Sequence, residues 1–460
     1  MPHHASKVPS HLPTRLAISL WDFTWYTQTT PGEAFADLDA AFGQAVERGY
    51  NTVRICAMPF LLFGEHRIDT SALRLTSMGG DVGVRTRWYD AAGGAVLDGR
   101  ARLLELFRAA ERHGCYVILS SWEYQQSPAF LEGPEWYEAL MAVDPDDRHR
   151  VMADAMSDLV QFLKDHGLAE RIAYAELHNE VDLSRLSLAG GGGPSDVYWP
   201  QRPFVESAVT RMQQRHPDIL ATSCYGIPPH LDIAAVPDNG EVAHFHVYVY
   251  GVLGALEKWA GVRSTEGFPS PELRSLLRDD APDVASYEGK VDPWRLSATG
   301  VSASMFYSHD WMDTARWDRW LYENYGQWRE AMSTAVDERL DVLARHAQRT
   351  GTPLVIGEGW VGYTPAARRV RGRPRRAGYR RTSDHPVHRA RRLGRRPRLQ
   401  LGAPPPRLGQ RRVAATLEPP PDPGGRLRLR GARPCRAGAS ALPPSGPGRD
   451  RWSVTTRAHG

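Results

Sequence analysis

The chain has 460 residues, and its formal net charge of +4 averages two regions of opposite charge. Residues 1–365 hold 32 of the 57 Lys and Arg and 49 of the 53 Asp and Glu, a net charge of −17 that argues against nonspecific polyanion binding. Residues 366–460 hold 25 Arg, no Lys and 4 acidic residues, a net charge of +21. The acidic region exceeds a typical domain of roughly 100 to 150 residues but fits one α/β barrel with insertions.

The start of the chain lacks the apolar core of a secretion signal, and nowhere do about 18 apolar residues follow one another. We therefore expect a soluble, cytoplasmic protein with no membrane partner. The predicted organisation is a disordered arm at residues 1–15, a barrel domain at residues 16–365 and a low-complexity basic tail at residues 366–460.

Short apolar runs alternate with amphipathic segments through the predicted domain, a pattern typical of repeated βα units and of the α/β fold class. Two long connections, residues 59–99 and 251–328, follow the second and sixth runs, where barrel loops are usually functional. Apolar residues at three- and four-residue steps predict helices at residues 34–47, 102–113, 148–166, 204–216 and 327–350. The predicted strands are residues 16–20, 52–55, 116–120, 172–177, 220–224, 242–248 and 353–357.

Two glutamates directly follow predicted strands. Asn179-Glu180 comes after the fourth run, and Glu358 comes after the seventh. In a barrel of parallel strands, the carboxyl ends of the strands are where catalytic residues are found. A single glutamate at a strand end is more often a solvated or ion-paired group, but two of them in this order favour cleavage of a glycosidic bond.

The two motifs resemble those of the cellulase-like proteins related to family 5 in clan A of the glycoside hydrolases, whose fold is a (β/α)8 barrel. The resemblance implies a retaining mechanism, with Glu180 as acid/base and Glu358 as nucleophile. Arg54 at the end of the second strand matches a further position of that family, as do His246 and Tyr248 on the sixth.

One family position does not match. A histidine is expected at the end of the third strand, and Ser121, Trp122 or Glu123 takes its place. This departure limits what the resemblance implies about substrate specificity.

The retaining scheme needs two carboxyl groups roughly 5 to 5.5 Å apart and requires neither a metal nor an organic cofactor. Arg54 is expected to hold Glu358 ionised through a charge-assisted pair, although a purely structural ion pair is the alternative. Tyr248 is expected to donate a hydrogen bond to Glu358, and Asn179 to bind the sugar 2-hydroxyl. His246, Trp122 and Trp360 complete the predicted substrate-binding set, each with core packing as the alternative interpretation.

A metal site built from His244 and His246 is a further alternative, because the two residues share one face of the sixth strand. No third ligand is evident from the sequence, so no metal is predicted. Three of the four cysteines, Cys56, Cys115 and Cys224, lie in or beside predicted strands and are expected to be buried free thiols.

The basic tail is built from Arg, Pro, Gly, Ala and Leu with almost no periodicity, a composition that cannot bury a core. The eighth βα unit of the barrel is therefore predicted to be incomplete. Arg, Pro, Gly and Ala are encoded by codons that begin with two G or C bases, as in an out-of-frame reading of a GC-rich gene. We hypothesise that a single-nucleotide indel near Thr364 replaced the last βα units.

Two other classes of function remain open at the level of the sequence. The same barrel could bind sugar without catalysis, with a carbohydrate as partner in either case. The basic tail could bind nucleic acid, but it has no Lys and few aromatic residues, so we expect no nucleic-acid partner.

Overall fold

The computed structural model describes residues 8–80, 82–85, 88–193, 196–226 and 232–359, with the backbone alone at residue 360 and residues 411–416. Seven strands lie in the order of a parallel barrel, so the predicted α/β fold class is confirmed. They are β1 (Arg15–Asp22), β2 (Thr52–Cys56), β3 (Tyr116–Ser120), β4 (Ile172–Glu176), β5 (Ala221–Thr222), β6 (Ala243–Tyr248) and β7 (Leu354–Trp360).

Parallel ladders join each strand to the next from β1 through β5, and another joins β6 to β7. Between β5 and β6 the sheet continues through a single parallel bridge, from Tyr225 to Phe245. The register of the β6–β7 ladder shifts between Phe245 and His246, so that His246 pairs with Glu358 and not with Gly357. This irregularity brings Glu358 beside a side chain that faces the interior of the barrel.

Helices connect the strands and cover the outside of the sheet. Asp37 and Asp98 begin two of them by accepting hydrogen bonds from the backbone N–H groups of Ala40 and Ala101, as N-cap residues do. The long helices are α1 (Leu38–Glu47), α2 (Gly99–Arg112), α3 (Arg148–Asp165), α4 (Tyr198–Arg215) and α5 (Thr314–Thr350).

The connections after β2 and β6 are folded insertions. The first contains a short helix and a pair of two-residue antiparallel strands, and the second contains five helices ahead of α5. The short helices are Thr24–Thr27, Pro59–Phe63, Glu135–Ala142, Val252–Ala260, Pro271–Leu276, Val284–Glu288, Pro293–Thr299 and Ala303–Trp311; the two-residue strands are Leu73–Arg74 and Val96–Leu97; and the 3-10 turns are Ser127–Phe130, Ala169–Arg171, Val181–Leu183, Arg185–Gly191 and Ile233–Ala235.

The interior of the barrel changes from apolar to charged along the strands. Ile118 and Tyr174 pack with Leu16 and Val355 in one buried cluster. Because alternate residues of a strand share a face, the side chains two residues beyond Ile118 and Tyr174 point the same way. Those side chains are Ser120 and Glu176, and the Ser120 hydroxyl donates to the Glu176 carboxylate at 2.9 Å.

The eighth position of the barrel departs from the parallel pattern. Arg411–Thr416 forms β8, which pairs antiparallel with β1 and lies next to β7. A complete (β/α)8 barrel has a parallel strand there. Among the described residues no parallel eighth strand is present, and the edge of β1 that such a strand would pair with is occupied by β8.

Residues 1–7 of the predicted arm at residues 1–15 lie outside the described residues, as do residues 361–410 and 417–460, which contain all of the predicted tail except β8. The frame hypothesis therefore stays a prediction. Resequencing the gene around the Thr364 codon, with peptide mass spectrometry of the tail, tests it: an unbroken reading frame contradicts it. Within the described part of the chain, no helix is both long enough and apolar enough to cross a membrane.

Candidate active site

Arg54 lies at the centre of the polar end of the barrel and is completely buried. Its guanidinium donates from Nε and Nη2 to the two carboxylate oxygens of Glu176, at 2.7 and 2.5 Å. The planar fork of arginine matches a carboxylate in this way, and burial makes the pairing necessary, since an unpaired buried charge is costly. We call Arg54 and Glu176 the inner pair.

Glu176 was not among the residues predicted from the sequence. Burial alone would raise the pKa of its carboxyl, but the charge of Arg54 and the contacts of Arg54 and His244 lower the pKa far below its usual value. Nδ1 of His244 lies 3.1 Å from Glu176 Oε2. Glu176 is therefore an anion fixed inside the barrel, with no exposed surface.

Glu358 lies at the end of β7 and contacts the inner pair from the cleft. Arg54 Nη1 donates to Glu358 Oε1 at 2.8 Å, and the Tyr248 hydroxyl donates to Oε2. About 8 % of the side chain is exposed. The sequence predicted both contacts, and the structure places Arg54, Tyr248 and Glu358 together.

Glu180 lies four residues beyond Glu176 along the chain, past the end of β4. Its backbone has a φ of 44°, in the left-handed region that residues other than glycine rarely adopt. A Cβ at position 226 would come within 2.7 Å of Glu180 Cδ, so glycine at this position leaves room for the carboxyl group. With 16 % of its side chain exposed, Glu180 is the more accessible of the two glutamates.

His246 lies between the two glutamates, which we call the cleft carboxylates. Its Nδ1 is 2.8 Å from Glu180 Oε1, and its Nε2 is 3.7 Å from Glu358 Oε1. A single buried imidazole therefore faces both carboxyl groups.

Asn179 connects this group to the inner pair. Its side-chain oxygen accepts from Arg54 Nη2 at 2.6 Å, and its Nδ2 donates to Gln125 Oε1 at 2.8 Å. Gln125, a residue that the sequence analysis did not identify, donates in turn to Glu180 Oε2 at 3.3 Å. Asn179 and Gln125 thus fix the position of Glu180 relative to Arg54.

The segment after β3 has mainly structural contacts. Trp122 is 5 % exposed, and the Arg54 guanidinium lies over its ring, 4.5 Å from the centroid. Glu123 accepts from the backbone N–H groups of Phe60 and Leu61, with further bonds from Ser121 and Trp136. Burial raises the pKa of the Glu123 carboxyl to about 7, although these donors oppose the rise. Trp122 therefore supports Arg54 from one side, and Glu123 anchors the start of a short helix.

Trp360 is the last residue of β7, and its side chain lies outside the described part of the structure. Its predicted role as a platform for a sugar ring stays a prediction. The other seven residues predicted for the site, Arg54, Trp122, Asn179, Glu180, His246, Tyr248 and Glu358, lie together at one end of the barrel.

The cleft presents two carboxyl groups in different surroundings. Glu358 contacts a permanent cation and a phenol hydroxyl, both of which stabilise its anion. Glu180 contacts a neutral amide and an imidazole and is more exposed. Such unlike surroundings suit one carboxylate for nucleophilic attack and the other for proton transfer.

Comparison with known proteins supports the resemblance inferred from the motifs. Residues 18–185 match the family model described as sugar-binding cellulase-like, and this range contains most of β1 and all of β2 to β4, with Arg54, Asn179 and Glu180. The resemblance is confirmed over these residues. The curated proteins give no match to this chain.

Among solved structures, a candidate glycoside hydrolase from Parabacteroides distasonis ATCC 8503 is similar to this chain, with a TM-score of 0.52 and 18 % identity over 77 % of this chain and 79 % of that one. This similarity supports the barrel fold. A GH5_18 protein from Streptomyces cattleya in complex with GlcNAc has a TM-score of 0.33 and 15 % identity over 54 % of both chains. An endo-1,4-beta-mannanase from Eisenia fetida has a TM-score of 0.30 and 12 % identity over 52 % of this chain and 69 % of that one.

Proposed function

We propose that this protein hydrolyses O-glycosidic bonds of oligosaccharides or small glycosides by a retaining double displacement. The observation that carries the proposal is the arrangement of the cleft carboxylates on either side of His246. Of these two carboxylates, Glu358 is the one that accepts hydrogen bonds from Arg54 and Tyr248. The match of residues 18–185 to sugar-binding cellulase-like proteins supports a carbohydrate as the substrate.

In the first step, Glu358 attacks the anomeric carbon while Glu180 protonates the departing oxygen. The attacking group must be an anion, and Arg54 stabilises that anion from inside the barrel. The product of this step is a glycosyl ester on Glu358, which leaves the configuration of the sugar inverted once.

In the second step, Glu180 removes a proton from water, and the water displaces Glu358 from the sugar. The second inversion restores the original configuration. Glu180 must therefore exchange protons with the cleft, which its partial exposure permits. Asn179 lies beside Glu180 and Arg54, a position from which it can bind the sugar 2-hydroxyl.

A panel of aryl glycosides tests the proposal, with Glu358→Ala as the decisive variant. The wild-type chain is expected to release the phenol from at least one member of the panel, and Glu358→Ala to reduce kcat by about 10⁴-fold or more. Glu132→Ala is the matched control, because Glu132 is an exposed glutamate whose ion pair with Arg74 lies on the surface. Equal turnover by Glu358→Ala and the wild type contradicts the proposal.

A sugar-binding protein without catalysis is the second candidate, favoured by the wording of the matching family description. In that case calorimetry detects binding of an oligosaccharide while no aryl glycoside is turned over. Glu358→Ala and the wild type would then both bind the oligosaccharide, and neither would hydrolyse an aryl glycoside.

A further inference from the structure

Cys224, His244 and His246 form a compact group beside the cleft carboxylates, and the proposed mechanism gives Cys224 no role. One ligand-type atom from each of the three side chains lies within 4.8 Å of the other two. All three side chains are buried, with exposures of 0, 1 and 0 %. A thiolate and two imidazoles are ligand types that bind Zn²⁺.

The hydrogen bonds of the two histidines set which ring nitrogen is free to bind. Nδ1 of His244 lies 3.1 Å from Glu176 Oε2, and Nδ1 of His246 lies 2.8 Å from Glu180 Oε1. Glu176 is ionised and an ionised carboxylate only accepts hydrogen bonds, so Nδ1 of His244 carries the proton and its Nε2 carries the lone pair; His246 adopts the same tautomer when Glu180 is ionised. Within the described residues neither Nε2 has a hydrogen-bond partner.

This is the arrangement by which proteins prepare histidine to bind a metal. A histidine ligand usually donates its other ring N–H to a carboxylate, which fixes the tautomer and the orientation of the ring. Here both histidines have such a carboxylate, although they obtain it from different residues. The pattern is therefore repeated independently on two side chains of one strand.

Charge at the group also suits a cation. A Cβ at position 357 would lie 1.9 Å from His244 Nε2, so a side chain there would collide with that atom. Three carboxylates, those of Glu176, Glu180 and Glu358, contact the histidines, while Arg54 is the cation that two of these carboxylates share. The local excess of negative charge favours a divalent cation.

We propose that Cys224 Sγ and the Nε2 atoms of His244 and His246 bind one Zn²⁺ ion. In a tetrahedral zinc site with bonds of 2.0–2.3 Å the ligand atoms lie roughly 3.3–3.7 Å apart, so ligand atoms that start within 4.8 Å of one another approach by at most about 1.5 Å. Cys224 loses its thiol proton when the ion binds. Glu358 Oε1 lies 3.7 Å from His246 Nε2.

Metal binding by the full chain tests this proposal directly. The protein is treated with a chelator, loaded with Zn²⁺ alone, dialysed to remove unbound metal and analysed for bound metal by mass spectrometry. One Zn²⁺ per chain is expected to remain after this dialysis. With Co²⁺ in place of Zn²⁺, the thiolate ligand is expected to give a sulfur-to-metal charge-transfer band that sites without a thiolate do not show.

Cys224→Ser is the variant that separates this site from others, and Cys115→Ser is its matched control. Cys115 is also a buried free thiol, and it is not part of the cluster. Cys224→Ser is expected to weaken Zn²⁺ binding by at least about 100-fold and to abolish the charge-transfer band, whereas Cys115→Ser retains both. If Cys224→Ser does not fold, the comparison is repeated with Cys224→Ala, and Zn²⁺ is expected to raise the Tm of the wild type.

Three results overturn the proposal. They are a wild type that holds no stoichiometric Zn²⁺, a Cys224→Ser variant that folds and binds Zn²⁺ as tightly as the wild type, and a Co²⁺ adduct without the charge-transfer band. None of these outcomes depends on glycosidase activity.

A consequence for activity rests on the proposed function. Because the ion would lie beside Glu358 and bind the imidazole that contacts Glu180, Zn²⁺ is expected to inhibit hydrolysis, with chelator restoring it. Stoichiometric binding without inhibition would refute this consequence and leave the site intact, while absence of any hydrolysis would count against the proposed function alone.

Discussion

The inner pair and the cleft carboxylates both hold negative charge at one end of the barrel, but they differ in what surrounds them. Glu176 is fully enclosed and accepts hydrogen bonds from Arg54 Nε and Nη2, while Glu358 accepts one from Nη1 and Glu180 accepts none from Arg54. The side chains of Glu180 and Glu358 remain 16 and 8 % exposed. One glutamate therefore fixes the arginine from inside the barrel, and the arginine in turn contacts a second carboxylate that is partly exposed in the cleft.

Removing Glu176 is expected to give the largest change in stability. Glu176→Ala leaves a buried guanidinium with Glu358 and Asn179 as its remaining partners, and breaking a buried ion pair in this way costs about 3–5 kcal/mol. Urea denaturation measures the loss in the free energy of unfolding. The exposed Glu132→Ala is the control and is expected to leave the midpoint unchanged. Equal midpoints for the wild type, Glu176→Ala and Glu132→Ala would contradict the stabilising role of the inner pair.

Removing Glu180 is expected to affect activity and not stability. Glu180→Ala should slow hydrolysis of glycosides with poor leaving groups by about 10²–10⁴-fold, because such groups need protonation by a general acid. Glycosides with a strongly acidic phenol need little protonation, so their first step should be nearly unchanged. Steady-state and burst kinetics across a series of phenols measure this dependence. An equal loss for every leaving group would remove Glu180 from the acid role.

Tyr248→Phe is expected to have a smaller effect in the cleft. The phenol donates to Glu358 Oε2, and a hydrogen bond to a charged group contributes about 1.5–3 kcal/mol. If that bond orients the nucleophile, kcat falls by roughly 10- to 150-fold while the denaturation midpoint stays close to that of the wild type. If the variant loses stability but keeps kcat, Tyr248 has a structural role like that of the inner pair and does not orient the nucleophile.

Mild acid is expected to lower stability gradually. Burial lowers the pKa of His149 and of His346 to about 4, below the usual value of about 6.5 in an unfolded chain. Above pH 6.5 each histidine is neutral in both the folded and the unfolded chain and does not lower stability. As the pH falls from 6.5 toward 4, each one lowers the free energy of unfolding by roughly 1.4 kcal/mol per pH unit, because the unfolded chain binds the proton first. The inner pair stays ionised through that range, because the pKa of Glu176 is far below normal.

Denaturation midpoints between pH 7.5 and 4.5 measure this response. His149→Gln is expected to lower the slope, because glutamine does not titrate and can still donate to the Leu186 carbonyl that His149 contacts. An unchanged slope in this variant would contradict the assignment.

Much of the fold could be predicted from the sequence, because each apolar run is long enough to specify a buried strand. The predicted strand at residues 116–120 has the observed bounds of β3. Helix bounds were less predictable. α5 begins at Thr314, 13 residues before the predicted start, because Asp313 caps it, and Trp317 within that first part is buried in the core.

The partners of the predicted site residues could be inferred only in part. Glu358 and its contacts with Arg54 and Tyr248 follow from strand ends that meet at one face of the barrel. Glu176 was missed because it belongs to no short motif, although it lies two residues beyond the inward-facing Tyr174. Gln125 lies in a loop whose path the sequence does not specify. Cys224 lies on the strand connection before β6, so its approach to His244 and His246 depends on the tertiary fold.

Trapping the glycosyl intermediate tests the central claim most directly. A 2-deoxy-2-fluoro glycoside with an activated leaving group, made from the sugar that the aryl glycoside panel identifies, should inactivate the protein by esterifying one carboxylate. Peptide mass spectrometry is predicted to find the added sugar on Glu358. Labelling of Glu180 or Glu176 instead, or turnover without any covalent adduct and with inverted product, would contradict the account.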